Sequence, residues 1–415
     1  MSKSTVAPLL ALAVSCCVAT SAWAQAKYAP GAAFGPGRGD SGEAVSEQSA
    51  PNVASFGVAS APTGTEYGLD QWLVRLRQAA RVPAYTGTYV VWSAPGLLAS
   101  SRIWHASRGN MQVEQVDALS GTPRSTYRVT DWRGRQKVET FLFQRRLLRI
   151  KRGELLGGGG FPNLPGAQQG ITPADYYDAQ QAGQERVAGF MTDVVRFVPR
   201  DSLRYGYRVW SERRTGLAIK LQTLDERGRV LEQAAFSDLA FDAPVSVGAL
   251  LRQMHQQRGW RVERAARVLT TAMAEGWQIG GPSGSSVPGF ALQNCYRQPV
   301  QIQDEAAVPA TAGSAQSDAR GPVGAAADSG RRDIAARSHS FQCVFSDGLA
   351  AVSVFIDRYD PVRQGGGNTG ELDSAVGATH LLVRRIGDTN WVAAAVGEVP
   401  LPTLRRFVTG VSRLR

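Results

Sequence analysis

The stretch Tyr85-Thr86-Gly87-Thr88-Tyr89-Val90-Val91-Trp92 decides the fold class of this chain. Aromatic and β-branched residues dominate it, and such residues favour an extended strand on a pleated, half-buried surface. The turn pair Pro95-Gly96 closes the strand. Before it, apolar residues recur at helical spacing from Leu69, which predicts an amphipathic helix that ends at Pro83.

Strand-like segments continue along the chain at a spacing of about ten residues, with turn residues between them. They are 101–106, 111–116, 124–130, 137–143, 145–151, 191–199, 204–210, 218–224 and 230–241. This spacing predicts one large antiparallel sheet. The exception is the stretch 153–183, which contains the run Gly157-Gly158-Gly159-Gly160. We expect it to form a long irregular loop, either a lid or a plain flexible insertion.

The N-terminus carries an export signal. Lys3 precedes an apolar run, and Ala22-Trp23-Ala24 offers the small residues that a signal peptidase reads, so residues 1–24 are expected to be removed before Gln25. The run is too short to span a bilayer, which takes about 20 residues. Ala13-Val14-Ser15-Cys16 offers an alternative, in which cleavage leaves a lipid-anchored Cys16. We expect a periplasmic protein.

Composition divides the rest of the chain. The predicted segments are a disordered leader at 25–66, a β domain at 67–245, a helical linker at 246–276 and a second domain at 277–415. Within the second domain, strands at 350–358, 378–383 and 391–397 precede a final helix at 402–411, and a disordered insertion occupies 303–337. After cleavage only Cys295 and Cys343 remain, which indicates one disulfide that closes a loop of about 50 residues. Two unpaired buried thiols are the alternative.

The charge is uneven and basic. The chain has 46 Lys and Arg against 35 Asp and Glu, and residues 66–275 hold 30 of these cations against 20 of the acids. In the periplasm the available polyanions are lipid head groups and lipopolysaccharide phosphates, so no nucleic-acid partner is expected. A solvated basic surface is the simpler interpretation.

Enzyme signatures are absent from the sequence. There is no Gly-x-Ser-x-Gly elbow and no His-Glu-x-x-His zinc pair. The four histidines are scattered singly, and neither mature cysteine lies in a Cys-x-x-Cys pair. We therefore expect no enzyme, no cofactor and no metal.

Several stretches resemble the MucB/RseB family. The first runs from Val194 to Asp201 and continues through Arg204-Tyr205-Gly206-Tyr207-Arg208-Val209-Trp210 to Phe241. The others are Thr172–Asp178, Val287–Phe290, Phe345–Ala350, Ser353–Ile356 and Val396–Pro400. The resemblance covers roughly residues 69–300 and 339–412 in one order, and the leader, the insertion and the glycine run depart from it.

The resemblance implies an α+β fold: an N-terminal half-open antiparallel β-barrel with helices, similar to the LolA lipoprotein carriers, and a smaller C-terminal α/β domain. Members bind the periplasmic part of an RseA/MucA-like membrane anti-sigma factor, protect it from regulated proteolysis, and are released by lipopolysaccharide or another lipid. A homodimer is compatible with these features. A periplasmic lipid or lipoprotein carrier is the alternative function, because it shares the N-terminal fold.

The resemblance also suggests two candidate sites. A half-open barrel exposes an apolar concavity, and the expected lipid-binding residues are Trp72, Tyr89, Trp92, Trp104, Phe141, Phe143, Arg145, Arg146 and Arg149. The alternatives are that these aromatic side chains fill a core and that the arginines lie on a solvated strand face. The expected partner-binding residues flank two turns and are Phe345, Ser346, Asp347, Leu349, Glu398 and Val399.

Overall fold

The computed structural model describes residues 67–79, 82, 84–94, 96–130, 135–154, 172–255, 259–264, 266–268, 276–279, 287–299, 339–359, 371–387 and 389–413. The predictions for 1–24, 25–66, Gly157–Gly160 and 303–337 lie outside these residues.

The first sheet has twelve strands among the described residues. The strands are β1 Ala84–Ser93, β2 Leu97–Arg108, β3 Met111–Ala118, β4 Arg124–Thr130, β5 Arg135–Leu142, β6 Leu147–Glu154, β7 Tyr177–Val187, β8 Phe190–Pro199, β9 Gly206–Glu212, β10 Ala218–Leu224, β11 Val230–Phe241 and β12 Arg261–Arg264. Their order is β12-β6-β5-β4-β3-β2-β1-β11-β10-β9-β8-β7. All neighbours are antiparallel except β12 and β6, and the sheet is not closed.

Each face of this sheet is covered by one helix. Helix α1 (Leu69–Gln78) buries Trp72 and Leu73 in a core with Tyr85, Tyr89 and their neighbours, on what we call the inner face. Helix α2 (Val247–His255) packs on the opposite, outer face, over β2 and β3. Because side chains alternate along a strand, residues two apart share a face and adjacent residues do not.

The second sheet has seven strands among the described residues, in the order β13-β15-β16-β17-β20-β19-β18. They are β13 Ala266–Val268, β15 Ala291–Pro299, β16 His339–Ser346, β17 Ala351–Arg358, β18 Glu371–Val376, β19 Thr379–Arg385 and β20 Trp391–Gly397. Helix α3 (Leu401–Thr409) buries Leu404 and Phe407 against them. A small ladder joins β14 (Trp277–Gln278) to β21 (Ser412–Arg413).

The expected α+β fold is confirmed, with a large unclosed antiparallel sheet followed by a smaller domain. The expected disulfide is also confirmed: Cys295 of β15 bonds to Cys343 directly opposite it in β16, 48 residues along the chain.

Two predictions about elements are wrong. Strand β7 begins at Tyr177, inside the stretch 153–183 that was expected to be irregular. The predicted helix over 246–275 ends at His255, and β12 and β13 follow it. Strand β12 is held by parallel pairing to β6, a long-range contact that outweighs the local helical pattern.

Candidate functional site

The guanidinium of Arg204 lies where the two sheets meet. Its Nη1 donates to Oδ2 of Asp347 at 3.2 Å, its Nε to Oδ1 of Asp201 at 3.0 Å, and its Nη2 to the carbonyl oxygen of Pro288 at 2.7 Å. The ring of Tyr176 lies 4.3 Å from the guanidinium carbon. The side chains of Arg204 and Asp347 are fully buried, so this ion pair between the sheets is withdrawn from water.

The turn after β16 aims the carboxylate of Asp347 at this guanidinium. Its Oδ1 accepts the backbone N–H groups of Leu349 and Ala350 at 2.9 and 2.7 Å, and its Oδ2 accepts the hydroxyl of Tyr177 at 3.0 Å. Burial raises the pKa of Asp347, and Arg204 opposes that rise. Burial and the neighbouring carboxylate of Asp347 also raise the pKa of Tyr177 well above its usual range.

These energetics indicate what the cluster does. A buried ion pair gives little net stability over an apolar replacement, but losing one partner leaves an uncompensated charge and costs about 3–5 kcal/mol. An arrangement of the two sheets that separated Arg204 from Asp347 would leave two charges unmatched, so the pair favours the observed arrangement.

Further hydrogen bonds cross the same contact. They join the Thr403 hydroxyl to the Leu203 carbonyl oxygen at 2.6 Å, the Tyr205 hydroxyl to His380 Nε2 at 3.0 Å, and the Gly377 N–H to the Ala94 carbonyl oxygen at 2.8 Å. Burial lowers the pKa of His380, against an opposing effect of Asp373. The contact is polar at several points, which makes it specific in geometry.

The predicted partner-binding residues lie in and around this contact. Phe345, Ser346, Asp347, Leu349 and Val399 are 0–3% exposed, and Glu398 is half-buried. Leu349 joins the core of the first sheet, and Phe345 packs against Phe407 with ring centroids 5.1 Å apart. In this arrangement the six residues do not form an exposed surface, because Leu349 is buried in the core of the first sheet and Phe345 and Val399 are buried in the core of the second. That they bind a partner stays a prediction.

The predicted lipid-binding residues do not converge on one concavity. Trp72 of α1 and Tyr89 of β1 are buried on the inner face, whereas Trp104 and Phe141 pack around α2 on the outer face. Trp92 and Phe143 are 37% and 42% exposed. For Trp72, Tyr89 and Phe141, which are buried, and Trp104, which is partly buried, the core alternative describes the packing. That any of the six binds lipid stays a prediction.

The three predicted arginines lie at or near one turn. Arg145 and Arg146 are exposed between β5 and β6, and Arg146 has φ 46°. Arg149 is less free, because its Nε lies 3.3 Å from Oε2 of Glu263 in β12. Only Arg145 and Arg146 therefore present their charges to solvent.

The inner face holds a buried polar group that the sequence did not single out. Arg128 Nη1 donates to Oε1 of Glu114 at 3.1 Å, and Nδ1 of His105 lies 3.9 Å from Oε2 of the same carboxylate. The His105 ring stacks on Tyr85 at 4.7 Å. Burial opposes ionisation of Glu114, but Arg128 and His105 lower its pKa on balance. This part of the inner face is charged rather than apolar.

The described residues include no cluster of His, Cys, Asp or Glu that could hold a metal ion. None of the described helices is long and apolar enough to cross a membrane.

Comparison with known proteins identifies the family to which this sequence and fold correspond. The sequence model of the MucB/RseB N-terminal domain matches residues 69–256, and that of the MucB/RseB C-terminal domain matches residues 323–412. The chain belongs to the MucB/RseB family. Both family domains occur in the expected order, which confirms the resemblance read from the sequence.

Named relatives agree with this assignment. The chain is 27% identical over 353 residues to "Sigma factor AlgU regulatory protein MucB" of Pseudomonas aeruginosa, covering 82% of this chain and 89% of that protein. It is 36% identical over 81 residues to "Sigma-E factor regulatory protein RseB" of Salmonella typhimurium, covering 20% of this chain and 25% of that protein.

Solved structures show the same fold. The structure of the Pseudomonas aeruginosa MucA/MucB complex contains a chain that is 24% identical, with a TM-score of 0.54, over 83% of this chain and 99% of that chain. A crystal structure of MucB in complex with the periplasmic part of MucA gives a TM-score of 0.52 at 24% identity, over 83% of this chain and 98% of that chain.

Proposed function

We propose that this chain is a periplasmic regulator that binds the periplasmic part of a membrane anti-sigma factor. While bound, the regulator protects that segment from regulated proteolysis. A lipid-type stress signal such as lipopolysaccharide releases the regulator from the segment. The carrying observation is that both MucB/RseB domains are present in order, in a chain similar over most of its length to a protein named as a sigma-factor regulator.

The structure supports this proposal at the contact between the sheets. A regulator that exchanges a protein partner for a lipid needs two arrangements that differ in free energy by a few kcal/mol. The buried pair of Arg204 and Asp347 defines one arrangement sharply, and its separation would define another. Lipid at the first domain could then change partner affinity in the second.

A periplasmic lipid or lipoprotein carrier is the second candidate. The unclosed first sheet, with a helix over its inner face, favours it. A carrier does not require the second sheet or the ion pair that joins it to the first, so the regulator accounts for more of the chain.

A protection assay tests the proposed function. The periplasmic segment of the host's membrane anti-sigma factor is digested with a broad-specificity protease, alone and with the chain from Gln25, and then with added lipopolysaccharide. The regulator predicts slow digestion in the complex and fast digestion after the lipid is added. If the folded chain leaves the digestion rate of the segment unchanged, and if it extracts lipoprotein from inner membranes, the carrier is supported instead.

The exposed arginines provide a variant for the release step. Replacing Arg145 and Arg146 with Gln removes two charges from the turn between β5 and β6 and is expected to raise the lipopolysaccharide concentration needed for release. Replacing Arg227 with Gln removes one exposed charge from the turn between β10 and β11, and this control is expected to change nothing. If both variants need the same lipopolysaccharide concentration for release, the turn between β5 and β6 is not part of the lipid site.

A further inference from the structure

Three cations lie together on the outer face of β8, β9 and β10. Arg196 of β8 stands directly opposite Arg208 of β9, and Lys220 of β10 stands opposite Trp210, two residues after Arg208. Their strand neighbours Val195, Val209 and Leu221 pack into the inner core, so alternation places the three cations on the other face.

Two like charges directly opposite each other destabilise a sheet unless something compensates them. Arg75, Arg102, Arg200 and Arg204 each have a carboxylate oxygen within 3.3 Å. Among the described residues, Arg196 and Arg208 form no such ion pair, and the Nε of each is buried without a hydrogen-bond partner. The sheet therefore places two arginines without an ion pair directly opposite each other on neighbouring strands.

The third cation adds to this excess. Lys220 Nζ lies 4.2 Å from the centroid of the Trp210 ring, and the guanidinium carbon of Arg208 lies 5.9 Å from it. The nearby carboxylate of Glu185 accepts the Trp210 Nε1–H at 2.7 Å. Burial lowers the pKa of Lys220, with Arg208 adding to the effect and Glu185 opposing it. Glu185 thus lies near Lys220, and among the described residues it forms no ion pair with Arg196 or Arg208.

We propose that Arg196, Arg208 and Lys220 bind a phosphate group. Two adjacent guanidinium groups offer paired N–H donors that match the oxygens of a tetrahedral anion, and Lys220 adds a third donor set. The bound charge would remove the repulsion between the cations. The phosphate can be free in solution or carried by a lipid head group, and the chemistry of recognition is the same.

The test measures binding and stability in the full mature chain. We compare the wild type with Arg196→Gln, Arg208→Gln and the control Arg227→Gln, which loses the same charge in an exposed turn. Probes are inorganic phosphate, sodium chloride at the same ionic strength, and vesicles of phosphatidylcholine with or without phosphatidylglycerol. Readouts are the thermal midpoint and the dissociation constant.

The proposal predicts that phosphate raises the thermal midpoint of the wild type and the control more than chloride does. The two site variants are expected to keep or raise the midpoint without phosphate, because the repulsion is gone. They are expected to bind phosphate about tenfold more weakly.

Vesicle binding that requires phosphatidylglycerol and is lost in the site variants identifies a lipid source. Phosphate binding without vesicle binding identifies a soluble one. Equal affinity in all four proteins, or no binding of phosphate or vesicles by the wild type, overturns the proposal. None of these outcomes depends on binding to an anti-sigma factor, so the proposed function stands or fails separately.

Discussion

Replacing Arg204 with Met tests the contact between the two sheets. The change keeps an unbranched apolar side chain but removes the cation. Among the described residues, the buried carboxylate of Asp347 then keeps the Tyr177 hydroxyl and two backbone N–H groups. Removing one partner of a buried pair costs about 3–5 kcal/mol of unfolding free energy. The matched control is Arg200→Met. Its pair with Asp178 is short, at 2.6 Å, but both side chains are about half exposed, so water screens the pair and its loss should destabilise the protein far less.

The pH dependence of this loss has a definite sign. Because Arg204 lowers the pKa of Asp347, its removal lets burial raise that pKa further above the unfolded value of about 3.9. Between the two values the folded protein holds a proton that the unfolded chain has released, so stability falls as the pH rises. The deficit of Arg204→Met is therefore expected to be larger near about pH 7 than near about pH 4.

Urea unfolding, followed by tryptophan fluorescence and extrapolated to zero denaturant, measures both variants at both pH values. Hydrogen exchange at the backbone N–H groups of Leu349 and Ala350, which donate to Asp347, reports the turn directly. The reasoning is refuted if Arg204→Met costs no more than Arg200→Met, or if its deficit is the same at both pH values.

Three further predictions concern other parts of the chain. Replacing Cys343 with Ala opens a 48-residue loop and should lower the unfolding free energy by about 4 kcal/mol. Urea unfolding without reductant compares this variant with the wild type, and an equal unfolding free energy would show that the bond is dispensable. Because burial lowers the pKa of His380, stability should fall as the pH drops below about 6.5, and His380→Gln should flatten that part of the profile; an unchanged slope would contradict this. Gly289 has φ 81°, and a Cβ there would lie 2.6 Å from the ring of Tyr176, whereas Gly228 has φ 76° and open space around it. Gly289→Ala should therefore lower the melting temperature more than Gly228→Ala, and an equal drop in both variants would mean that the ring moves aside.

The sequence predicted the strands that carry aromatic and β-branched residues, because burial on one face imposes a period of two. It missed β7, whose Gln, Gly and Glu residues are mostly exposed and whose stability comes from pairing with β8. It extended α2 too far, because the short apolar pattern of residues 261–268 fits a helix or two short strands equally well.

The candidate site was less predictable. The sheet has a helix on each face, so aromatic residues such as Tyr89 and Trp104 point to opposite sides although both read as core. Arg204 and Asp347 lie 143 positions apart, and no local pattern pairs them. Both nevertheless fall in stretches that carried the family resemblance, where charged residues stand beside aromatic ones.

Direct binding tests the central claim most simply. The chain from Gln25, shown to be folded, is titrated by calorimetry with the periplasmic segment of the host's membrane anti-sigma factor, with and without lipopolysaccharide. The account predicts saturable binding with a dissociation constant of about 1 μM or lower, and loss of that binding when the lipid is present. No heat of binding at micromolar protein would contradict the account, and binding that ignores the lipid would contradict the proposed release.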